Sequence, residues 1–138
     1  MEINYLAVIV ATVVQFIIGA VWYMPIFGKA WGEIHGFDKV APEMQKEMMK
    51  SMYPMLVVQF ILTLVTSAVF GLFVASLPQD WNVYGLAGFY WLGFAAPAQI
   101  AAVIFGGTEG KWVMKKILIS IGGSLVCFMA MALVFTLL

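Results

Sequence analysis

Three glutamines, one in each of the first three long apolar runs, are the residues best suited to recognise a ligand: Gln15, Gln59 and Gln99. A carboxamide carries two N–H donors and a carbonyl acceptor. Counted at about 1.5 Å per residue from run ends near Met24, Tyr53 and Phe105, all three lie roughly 9 to 14 Å inside the same boundary. Ser120 on the fourth run reaches a similar level. In hydrocarbon an unpaired amide is costly, so these side chains are expected to turn inward and bond one another, backbone carbonyls or water. Gln15, Gln59, Gln99 and Ser120 together form a candidate polar pocket in the inner half of a bundle, suited to a neutral or zwitterionic solute or a lipid headgroup. The competing expectation is that the same polar residues, with small neighbours, serve close helix packing.

Other chemically able residues are more scattered. Glu33, His35 and Asp38 are all metal-ligating types, but their spacing matches no defined site and the chain has no second histidine. His35 alone could titrate near neutral pH as a sensor. Cys127, Ser120 and Ser124 carry nucleophilic atoms without a base or orienting partner in their runs. No Asp, Glu, Lys, Arg or His occupies the deep part of any run, which counts against a proton relay, carboxylate-coupled transport and intramembrane hydrolysis alike. The expectation is a protein without catalytic residues, metal or cofactor. The single cysteine also excludes an internal disulfide.

The elements that must position these residues follow from composition. With 138 residues, 64% hydrophobic and 10% charged, and a mean hydropathy of +1.01, the chain has far fewer charges than a soluble domain. It has room for four spans of about 20 residues and one sizeable loop. The expected fold is all-α: a single integral membrane four-helix bundle with spans at about 3–24, 53–77, 83–105 and 113–138. Pro25 ends the first span. In the loop 25–52, Pro42 opens a short helix whose Met44, Met48 and Met52 recur against Glu43, Lys46, Glu47 and Lys50, as in an amphipathic helix lying on the membrane surface. Pro78 to Asn82 is a tight turn, and Pro97 should kink the third span.

Orientation comes from the lysines. All seven lie in the loop 25–52, the loop after Phe105 or the start of span four, so these loops are expected in the cytoplasm and both termini outside, in a bacterial inner membrane. Trp22, Tyr23, Trp31, Tyr53 and Trp112 mark the inner interface, Trp81 and Tyr84 the outer one. Membrane lipids are the expected partners, with a further copy or a larger membrane complex. A zero net charge and few basic residues speak against nucleic acid.

Helical spacing gives each span one inward stripe: Thr12, Gln15, Gly19 and Tyr23; Gln59, Thr63, Thr66 and Phe70; Gly85, Ala96, Gln99 and Ala102; Ser120, Ser124 and Cys127. Ser67, Gly71 and Ala75 add a small residue every fourth position, fit for an intrachain or an oligomer contact.

Two segments, Trp22-Tyr-Met-Pro-Ile-Phe-Gly-Lys-Ala-Trp31 and Trp91-Leu-Gly-Phe-Ala-Ala-Pro97, resemble the bacterial membrane family catalogued as domain of unknown function 1761. The resemblance covers essentially the whole chain in span order and implies a four-helix membrane fold without an established activity. Members typically carry a more polar segment after span three, where this chain has Gln99, Phe105 and Glu109. In the first segment, Pro25 ends the helix, Gly28 permits a reversal, and Tyr23, Lys29 and Trp31 form either an interfacial anchor or a clamp for a lipid phosphate. The functional expectation is a non-enzymatic homo-oligomer or accessory subunit; the alternative is a small transporter or lipid-binding protein.

Overall fold

The computed structural model describes residues 2–138. Helix α1 (Tyr5–Val21) starts at Asn4, whose Oδ1 accepts from the Ala7 amide at 3.0 Å, satisfying one of the orphan donors of the first turn. The chain does not stop at Pro25. It widens into a π-helical stretch, Trp22–Ile26, closed by the Phe27 amide donating to the Trp22 carbonyl at 2.9 Å. A wider turn carries the helix past a residue that has no N–H to give. Helix α2 (Gly28–Ile34) and a 3-10 turn (Phe37–Lys39) follow, separated by Gly36 at φ 71°, a conformation glycine adopts without steric penalty.

Helix α3 (Pro42–Ser76) is 35 residues long, about 52 Å at 1.5 Å per residue and well beyond the hydrocarbon thickness. Pro42 opens it as expected. The residues 42–52 are not a separate surface helix, however: they are the first turns of α3, which runs on through Pro54. Met, Glu, Lys and Gln are strong helix formers, and a proline withholds only one backbone donor, so the segment stays continuous.

Asn82 caps helix α4 (Val83–Tyr90), its Oδ1 accepting from the Tyr84 and Gly85 amides at 2.8 and 3.2 Å. A second π-helical stretch, Trp91–Ala95, joins α4 to α5 (Ala96–Phe105) just before Pro97. The distortion expected at this proline takes that form. After a 3-10 turn, helix α6 (Val113–Leu137) closes the chain. Four segments, Tyr5–Ile26, Pro42–Ser76, Val83–Phe105 and Gly110–Leu137, are long and apolar enough to cross a membrane. The fold is all-α and multi-pass.

Helix α6 is the centre of the bundle, packing against α1, α4 and α5, whereas α3 packs chiefly on α1. The core joins Ala7 and Ala11 of α1, Phe70 of α3, Leu86 and Ala87 of α4, and Met131 and Ala132 of α6. It therefore lies in the half of the bundle away from the lysines. Phe70 meets Phe135 edge to face at 5.5 Å, and Gly71 lets α3 close on Val8 and Phe135, where an added methyl would come within 3.1–3.2 Å. Ser67 and Gly71 of the small-residue stripe thus serve an intrachain contact. No residue of α3 before Ser67 is buried. The two long helices meet in the outer half and diverge in the inner one.

Candidate functional site

The polar groups of the spans are taken up in three interhelical locks. In the first, the buried Gln15 carboxamide donates to the Ser67 hydroxyl of α3 at 2.8 Å and to its own Ala11 carbonyl at 3.2 Å. Thr12, one turn earlier and fully buried, returns its hydroxyl to the Val8 carbonyl at 2.7 Å. Neither side chain leaves a donor facing hydrocarbon, where an unmet one is expensive.

The second lock ties α1 to α6. Trp22, at the start of the first π stretch, donates its indole N–H to the Ile119 carbonyl at 2.9 Å. Gly122 and Gly123 make room for the ring: a Cβ at Gly123 would lie 2.8 Å from the indole nitrogen. The third lock mirrors it from the other side. Trp91, at the start of the second π stretch, donates to the Ile121 carbonyl at 2.9 Å and lies 3.0 Å from the Ser124 hydroxyl. The Ser124 hydroxyl in turn has the Gln99 carbonyl oxygen as its nearer acceptor at 2.8 Å, with the Ile121 carbonyl at 3.0 Å. Two tryptophans, each opening a widened turn near a proline, grip neighbouring carbonyls of one central helix.

The four residues of the candidate pocket are therefore not gathered in a single layer. Gln15 is spent on Ser67 and Gln99 on Ser124, while the buried Ser120 faces Tyr23. Gln59 is exposed and finds only Thr63 on its own helix, at 3.4 Å. Depth alone brought these residues to one level; the splay of α3 removes Gln59 from the others. On α4 and α5 the facing positions also differ from the single stripe expected. Leu86, Ala87, Ala96 and Val103 are buried with Gln99 partly so, while Gly85 and Ala102 are exposed. A π-helical stretch between them rotates the following turns relative to a constant 3.6-residue period.

At the lysine-bearing end, Tyr23 and Trp31 do come together, edge to face at 4.7 Å. Lys29 stands two residues before Trp31 on α2, a spacing that points side chains to different sides of a helix. The cation beside Trp31 is instead Lys116 of α6, 5.6 Å above the ring, a geometry favourable for cation–π attraction. His35 also packs on Trp31 at 4.6 Å, with Nδ1 2.8 Å from the Trp31 carbonyl. Lys111 and Lys115 both lie over Trp112, at 5.5 and 5.4 Å, and Lys111 also pairs with Glu109 at 3.7 Å. The Lys116–Trp31 contact puts both lysine-bearing loops at one end of the molecule. Lys116 was not singled out from sequence; its only signal was a lysine at the start of a span, which matches any interfacial position.

Glu33, His35 and Asp38 do not converge: among the described residues no three His, Cys, Asp or Glu side chains meet as a ligand set.

The family described as protein of unknown function, DUF1761, matches residues 6–136. The chain belongs to this family. Among curated proteins and among solved structures, nothing matches it. The two segments that carry the resemblance to DUF1761 are the two that form the tryptophan locks. Trp22 and Pro25 belong to one π stretch, Trp91 opens the other, and Pro97 follows it directly. In this DUF1761 chain Trp22 and Trp91 tie the segments that follow α1 and precede α5 to α6.

Proposed function

We propose that this DUF1761 chain is a non-enzymatic protein of the bacterial inner membrane that works through helix packing, as a homo-oligomer. The observation that carries this reading is the bare inner half of α3. From Glu43 to Thr66 no residue is buried, and Gln59 is exposed within it, its carboxamide held only by a long bond to Thr63. An amide in the apolar layer needs a better partner, and a second copy of α3 offers one because a carboxamide is its own complement as donor and acceptor. The lysine-bearing end belongs in the cytoplasm and both termini outside, following the distribution of positive charge. The hydrogen bonds of Gln15, Trp22, Trp91 and Gln99 all go to neighbouring helices, which supports a structural or accessory role.

Native mass spectrometry and light scattering of the protein in nanodiscs and detergent test this. A defined oligomer that dissociates in Gln59→Leu, with helicity kept, is expected. A wild-type protein that stays monomeric at every concentration overturns the homo-oligomer, and a different protein co-purifying in fixed ratio would assign α3 to an accessory contact instead.

A further inference from the structure

We propose that the inner end of α3 holds the phosphate headgroup of an anionic phospholipid, with an acyl chain lying in the opening between α1 and α3. The proposal is independent of oligomerisation and rests only on the chain crossing a membrane. A shallow, open cleft of about 460 Å³ lies where the turn Phe37–Lys39 meets the first turns of α3, lined by Phe37, Pro42, Met49 and Tyr53 together with Lys46 and Lys50. Gln45 builds the cleft: its amide donates to the Phe37 and Val40 carbonyls at 3.0 Å each, holding the turn against the helix. Neither Lys46 nor Lys50 has a carboxylate partner; the single ion pair among the described residues is Lys111–Glu109. Glu43 and Glu47 share the same turns of α3 but do not line the cleft. Two unpaired ammonium groups beside an apolar lining, at the start of an uncharged stretch, suit a phosphate that arrives with a hydrocarbon tail.

The tail has a path. Tyr53, Leu56, Val57 and Phe60 recur at three- and four-residue spacing from the cleft along α3, and all are exposed. This is the face that closes on α1 further out, at Ser67 and Gly71. On α1, Gly19 lies one turn beyond Gln15, and an added methyl there would meet nothing within 4 Å. Phe16 and Phe60, edge to face at 5.4 Å, close the opening at its outer end. An acyl chain fills an apolar gap of this form, whereas a soluble phosphate would leave it empty.

The test compares binding of fluorescent phosphatidylglycerol to wild type and variants in phosphatidylcholine nanodiscs, with glycerol phosphate as a soluble competitor. Lys46→Gln/Lys50→Gln should weaken binding about 30-fold, each lysine near the headgroups contributing about a fivefold factor. Met49→Trp, which fills the cleft and keeps both charges, should weaken it too. Lys39→Gln, outside the cleft lining, should change little. Equal losses in Lys39→Gln and the double variant would mean diffuse attraction to an anionic surface and overturn the site. Displacement of the lipid by glycerol phosphate would overturn the tail path, and unchanged binding in Met49→Trp would overturn the cleft.

Discussion

Gln15 and Ser67, 52 positions apart in the chain, share a buried hydrogen bond of 2.8 Å that fixes α3 to α1 at the level where the two helices begin to part. Inward of this pair no residue of α3 is buried; outward of it the core begins. The bond acts as a fulcrum, and the exposed face of α3 exists because the contact ends there.

Removing either partner leaves the other unmet. Ser67→Ala and Gln15→Leu are each expected to destabilise the protein by about 0.6 to 1.7 kcal/mol, the range for interhelical hydrogen bonds in membranes. A double-mutant cycle on reversible unfolding in mixed micelles should show the two effects to be less than additive. Full additivity would mean that the bond contributes nothing to holding α3.

Gly123 and Trp22 form a size-matched pair. Gly123→Ala puts a methyl 2.8 Å from the indole nitrogen and should cost about 1 to 3 kcal/mol, as overpacking does. Trp22→Leu in the same chain should recover part of that loss even though it gives up the bond to Ile119. If Gly123→Ala were harmless in the wild-type background, the close approach of Trp22 to α6 would be wrong.

Gln99 distinguishes packing from ligand recognition. Its carbonyl oxygen is held by Ser124, which itself accepts from Trp91, so Gln99→Leu should lower stability by about 1 kcal/mol, the usual net worth of such a bond. It should also alter tryptophan emission, and Ser124→Ala should do the same. Binding of phosphatidylglycerol should be unaffected. Loss of lipid binding in Gln99→Leu with stability intact would return the polar residues of the spans to a ligand role.

Orientation is read by labelling. In a Cys127→Ser background, an impermeant thiol reagent applied to intact cells should modify Asn82→Cys and leave Thr108→Cys untouched. The reverse pattern would invert the assignment of the lysine-bearing end to the cytoplasm.

Much of the fold was legible because lipid imposes simple demands. Run length and charge depletion pointed to four long apolar helices, and Pro42 marked a first helical turn, though of a longer helix than expected. Prolines were less transparent. Pro25 was expected to end a helix and the second span to begin at about residue 53, yet the helix passes Pro25 by widening and runs through Pro54 without a break. A missing donor can be absorbed in several ways, and neighbouring contacts decide which. The sequence could order Gln15, Gln59, Gln99 and Ser120 by depth but not name their partners, since equal depth does not give equal direction once a π-helical stretch or a splayed helix intervenes.

By itself the sequence determined the solvent and the class of fold: 64% hydrophobic and 10% charged residues in four long runs can be satisfied only by helices whose backbone bonds are internal. It also placed all seven lysines in the stretches that the fold collects at one end. Which polar groups meet was decided only by the tertiary structure. Gln15 found Ser67, Gln99 found Ser124, Trp31 found Lys116 rather than Lys29, and Gln59 was left on an open face. The physical reason is that hydrocarbon requires every polar side chain to find a partner without specifying which. That choice belongs to the angle and rotation at which helices pack, here set by two tryptophans gripping α6 and by α3 leaning away from the rest.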